Sequence, residues 1–195
     1  MNHRIAKASV CAILSLALIL AGCSVSWIST ALADLPVITQ VALNIASIVS
    51  AADGSQVSPA VATQVQSIAN QVKSDLTLVQ SLITSYQSAT AAEQPSIVQK
   101  ISAALSDVQS NLNAILTAVH VNDAALQATI VAAVGVAVTT VASIASLLPA
   151  SPASASASAS TKSAHAAVKP PSARQLKKQF NAIFALNGFP QAEIK

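Results

Sequence analysis

Histidine, cysteine and carboxylate residues would carry the chemistry of a 195-residue chain, and here they are few and scattered. Of the three His residues, His3 lies in the extreme N-terminal segment, His120 near a turn and His165 in a small-residue stretch. Neither His120 nor His165 has Cys, Asp or Glu at metal-ligand spacing, and His120 with Asp123 reads as a structural pair around a turn. The seven acidic residues stand singly, so no carboxylate pair for glycoside hydrolysis is present. Ser is abundant, but there is no Gly-x-Ser-x-Gly elbow, and the Lys162 between Ser160 and Ser163 has no supporting residues. Aromatics make up 3% of the chain and Gly only 4 residues, which argues against ring-lined ligand pockets and Gly-rich phosphate loops. Charged residues at 9% and a mean hydropathy of +0.60 exclude both a solvating disordered chain and a Lys/Arg-coated nucleic-acid binder. The expectation is a protein without enzymatic activity, metal site, cofactor or small-molecule substrate.

The two cysteines carry more information. Arg4 and Lys7 form a positive start, and Val10 to Leu20 is an apolar run broken only by Ser15, too short for an ordinary spanning helix. That pattern is a signal peptide. Cys11 lies inside it and leaves with it, so only Cys23 remains and no disulfide can form within the mature chain.

Directly after the apolar run stands Leu20-Ala21-Gly22-Cys23, which resembles the lipobox of bacterial lipoprotein precursors at all four positions. The resemblance covers about the first 24 residues. It implies that residues 1–22 are removed and that Cys23 becomes the first mature residue, carrying a diacylglyceryl group on sulfur and an acyl chain on its amine. Each buried methylene adds about 0.8 kcal/mol of membrane affinity, so two or three acyl chains hold a protein firmly. Ser24, not Asp, follows the cysteine, and in enterobacteria-like sorting this implies transfer to the outer membrane, facing the periplasm. Two rival readings are a plain secretory signal cut after Ala31-Leu32-Ala33, which would release a soluble protein, and an uncleaved spanning helix.

The elements follow from apolar spacing. Residues 23–33 are expected to be a lipidated tether, with Trp27 and Ile28 at headgroup level. Asp34 offers a cap and Pro36 a first-turn proline for a helix through Val37, Val41, Ile45 and Ile48, stopped by Asp53-Gly54. Ser58-Pro59 starts a second helix whose stripe (Val61, Val65, Ile68, Val72, Leu76, Val79, Leu82, Tyr86) continues for some 30 residues. A third begins at the Thr90 to Glu93 capping box or at Pro95 and carries Ile97, Ile101, Leu105, Val108, Leu112, Ile115 and Val119. The fourth, Ala124 to Leu148, has no charge and no polar face, and at about 37 Å it is long enough to cross a bilayer. Its expected place is the centre of a bundle, surrounded by neighbours; insertion in the membrane is the alternative. Short connections make the fold class all-α, an up-and-down four-helix bundle with narrow Ala-rich seams over residues 34–149.

Residues 150–171, with Ala-Ser alternation framed by prolines, read as a disordered linker. Residues 172–188 form an amphipathic helix capped by Ser172 and closed at Asn187-Gly188, followed by a tail at 189–195. All three Phe residues fall in or just after it. Asp34 to Ala150 carries two basic and six acidic residues, net −4, whereas Ser151 to Lys195 carries six basic and one acidic, net +5. Arg174, Lys177, Lys178, Phe180 and Phe184 are therefore the expected contacts to an envelope partner or to anionic lipid, with docking on the chain's own acidic bundle as the rival. The functional expectation is a lipid-anchored cell-envelope scaffold or interaction module, and the alternative is a membrane-active helical protein in which helix 124–148 inserts.

Overall fold

The computed structural model describes residues 3–52, 57–119, 122–149 and 171–194, with side chains from Trp27 onward apart from that of residue 191. Five α-helices follow in order: α1 (His3–Ala51), α2 (Pro59–Ser88), α3 (Gln94–Ala118), α4 (Ala124–Ser146) and α5 (Ala173–Leu186). A 3-10 turn at Pro190–Ala192 follows α5, and no strand occurs among the described residues. The fold is an all-α bundle, as the sequence predicts.

The cores of α1 to α4 pack successively into a ring, and α5 wedges into its last seam, between α1 and α4. Stripes recurring at three and four residues make this packing possible. Val65, Ala69, Val72, Leu76, Val79, Ile83 and Tyr86 of α2 face Ile101, Leu105, Val108, Leu112 and Ile115 of α3, all buried. Small side chains at Ala42, Ala46, Ala69, Ala104, Ala133 and Ala137 are buried among them and let the backbones approach closely. The middle of α1 lies beside the end of α2, where the Trp27 and Tyr86 rings meet edge to face at 5.5 Å and 68°. On the outer side of the α2–α3 pair, Asn111 Nδ2 donates to Asp75 Oδ2 at 2.8 Å.

Helix ends follow the local signals at most places. Ser58 Oγ accepts from the Val61 N–H at 3.3 Å, and Asp123 Oδ1 accepts from Ala125 and Leu126 at 2.8 and 3.0 Å. Ser172 and Gln175 complete a reciprocal capping box. Gly188 takes a positive φ of 84°, so the Phe189 N–H reaches Phe184 O and the Gly188 N–H reaches Ala185 O, a Schellman closure that favours Gly there. At α3 the Glu93 carboxylate reaches back to the Thr90 N–H and hydroxyl, building a turn before a helix that starts at Gln94.

Two expectations are corrected. α1 does not begin at Asp34, and residues 27–33 are not a tether. The helix runs through 49 residues because nothing from Ser24 to Leu35 breaks it, and Trp27, Ile28, Ala31, Leu35 and Ile38 extend the buried stripe backward. Trp27 therefore sits in the core, not at headgroup level. Pro36 lies inside the helix on its exposed side, where its missing N–H leaves the Leu32 carbonyl without its usual donor. The expected stop at Asp53-Gly54 falls outside the described residues.

The second correction concerns α4, which is not surrounded. Leu126, Thr129, Ile130, Ala133, Val134, Ala137, Thr140, Val141 and Ile144 face the core, while Ala128, Val131, Ala132, Gly135, Thr139 and Ala142 are exposed. Val131 is 51% exposed. As a member of the ring α4 meets α3, α1 and α5 with its inner face, so an outward face of small and apolar residues stays open. Its buried hydroxyls are satisfied locally, Thr129 and Thr140 donating to the carbonyls of Ala125 and Val136.

The tail beyond α5 is strapped down. Asn44 Nδ2 donates to Ala192 O at 2.6 Å, and Asn181 both accepts from the Ile194 N–H at 2.8 Å and donates to Ile194 O at 3.2 Å. Ile194 is buried.

Candidate functional site

The lipobox residues Leu20, Ala21, Gly22 and Cys23 all lie within the helical backbone of α1, while their side chains fall outside the described set. The first described core side chain is Trp27, four residues after Cys23. A chain beginning at Cys23 thus retains every described core residue. One beginning at Asp34 loses Trp27, Ile28 and Ala31.

The basic C-terminal helix divides its expected contacts into two groups. Arg174 and Lys178 are exposed and Lys177 is half-buried, but Phe180 and Phe184 are fully buried together with Leu176 in the α1–α4 seam. The two Phe side chains thus serve the core in this structure and are not presented to a partner. Hydrophobicity explains the choice: α4 and α1 leave an apolar seam, and the three large side chains share one face of α5 at spacings of four. The cations remain on the outer side, and Leu186 at the end of the helix is 85% exposed.

Next to this helix a groove of about 1600 Å³ opens between α1, α4 and α5. Ala33 and Asp34 contribute from α1, Val131, Gly135 and Thr139 from α4, and Gln175 and Lys178 from α5. Asp34 is fully buried, and neither carboxylate oxygen has a hydrogen-bond partner. Burial raises its pKa from 3.8 to about 6. Pro36, two residues on, made Asp34 look like a helix cap; the signal pointing the other way was its standing as the lone charge in the apolar run from Trp27 to Ala51.

His120 and His165 lie outside the described residues, and Asp123 acts as the α4 cap. Among the described residues no group of three His, Cys, Asp or Glu side chains could hold a metal ion. Compared with protein-family models, curated proteins and solved structures, the chain matches none.

Proposed function

We propose that the protein is a lipid-anchored component of a bacterial cell envelope, held by a diacylglyceryl and N-acyl group on Cys23, and that its helical bundle is a non-enzymatic scaffold or interaction module. The observation that carries this reading is the lipobox Leu20-Ala21-Gly22-Cys23 placed immediately before the bundle's core. Cleavage before Cys23 leaves the packed stripe of α1 whole, whereas the rival cut after Ala33 deletes a Trp, an Ile and an Ala from the interior. Trp27, four residues after Cys23, packs on Tyr86 at the end of α2, so a lipid on Cys23 would bring that end of the bundle to the membrane. The exposed cations Arg174 and Lys178 offer a surface to anionic lipid or to an acidic envelope protein. Labelled palmitate should enter the wild-type protein and not Cys23→Ala, which should accumulate as uncut precursor; equal labelling of both overturns the reading.

A second reading is supported by α4. It carries no charge, its mean hydropathy over a membrane-length window is 2.1, and 44% of that window is buried inside the bundle. An open apolar face of this kind suits a helix that leaves the bundle for the bilayer. In that case a chain starting at Ser24, without signal or lipid, should stay with liposomes after carbonate extraction, and a scaffold should not.

A further inference from the structure

We propose that Asp34 is a proton-controlled latch for α5: with the carboxyl protonated, the C-terminal helix is held in the α1–α4 seam, and ionisation of the carboxyl loosens that docking. This goes beyond the scaffold reading and does not depend on the lipid anchor.

The geometry begins with an acid that has nowhere to put a charge. Asp34 is fully buried, both oxygens lack a partner, and the helix that holds it is otherwise uncharged from Trp27 to Ala51. An ionised carboxylate in that position must regain water or find a donor. The nearest opening is the groove whose walls are α1, α4 and α5. Of these, α1 and α4 are long members of the ring, whereas α5 is a 14-residue helix seated mainly by Leu176, Phe180 and Phe184. The α5 wall is the one that moves aside at least cost. Once it lifts, Asp34 is hydrated and three large apolar side chains become available to a partner.

The charged groups around the site leave Asp34 as the titrating member. α4 contributes none from Ala124 to Ser146. α5 contributes Lys178 to the groove, while Arg174 and Lys177 lie outside its lining, and exposed Glu193 sits on the strap beyond α5. On α2, Tyr86 packs on Trp27, Lys73 is exposed, and half-buried Asp75 is bonded to Gln71 and Asn111. Lys178 makes no hydrogen bond to Asp34.

The sign follows from linkage. The docked form holds the proton up to about pH 6, and the undocked form, with an ordinary carboxyl, releases it near 3.8. Docking is strongest below the undocked value, weakens as pH rises between the two, and is constant above the docked value, the full change being about 100-fold.

Hydrogen exchange of the full-length protein in detergent micelles, read by mass spectrometry on α5 peptides and corrected for the intrinsic pH dependence of exchange, measures the opening constant directly. Between pH 5 and pH 7 that constant should rise about tenfold for α5 and level off above pH 7, and at every pH it should exceed the constant of α3, which opens only by global unfolding. Asp34→Asn and Asp34→Leu should both abolish the rise, and Lys178→Gln should keep it. A flat α5 constant in the wild type, an equal rise in both Asp34 variants, or an α5 constant no larger than that of α3 overturns the proposal.

Discussion

At the scale of single residues, Asp34 and Glu93 act in opposite directions. Burial raises the Asp34 pKa, so its folded form is favoured below about pH 4 and loses stability as pH rises through about 6. The loss amounts to at most about 3 kcal/mol. Glu93, exposed, is held below the usual carboxylate range by the Thr90 hydroxyl and N–H, so its contribution is present at neutral pH and lost on acidification. Urea unfolding of wild type and Asp34→Leu should therefore give a stability difference that widens from pH 4.5 to pH 7; a constant difference contradicts the burial of an acid. Phe184 gives a second contrast. Phe184→Ala empties a fully buried site and should cost about 3–5 kcal/mol. Leu186→Ala, on an 85% exposed side chain two residues on, should change stability by less than about 0.5 kcal/mol.

At the scale of elements, α4 and α5 changed places relative to expectation. Periodicity identifies α4 as a helix but does not tell which apolar residues find neighbours, because its two faces are almost equally apolar. The structure separates them, and a paired substitution tests the separation. Val134→Asp puts an unpaired charge at a fully buried site and should abolish cooperative thermal unfolding in a chain starting at Ser24, whereas Val131→Asp, half exposed, should cost about 1 kcal/mol or less. Similar damage from both would mean that the outer face is also covered. For α5, the basic face beyond residues 150–171 pointed to a helix presented to a partner or to anionic lipid. Leu176, Phe180 and Phe184 instead complete the α1–α4 seam. Truncation at Pro171 should accordingly lower the melting temperature by about 10 °C or more, through the loss of three fully buried side chains.

For the whole molecule, the sequence was most legible where local chemistry decides structure. The caps at Ser58 and Ser172 and the Gly188 closure each need only a few neighbouring residues. The stripes of α2 and α3 needed only spacing. Legibility failed where the outcome depended on partners distant in sequence. Trp27 and Ile28 have the composition of a membrane-interface pair, and only the neighbouring Tyr86 on α2 makes Trp27 a core residue. Asp34 before Pro36 has the form of a helix start, and only the continuation of the buried stripe through Ala31 turns it into an interior acid. Phe180 and Phe184 suit a binding face equally well, and only the packing of α5 against α1 and α4 makes them core residues.

The central claim is the attachment of this bundle at Cys23, and its most direct test is the intact mass and N-terminal residue of the protein extracted from membranes. The account predicts a chain beginning at Cys23, heavier than its amino-acid mass by a diacylglyceryl group and, where the amine is acylated, one further acyl chain. An unmodified chain beginning at Asp34, or an uncut chain beginning at Met1, would contradict it.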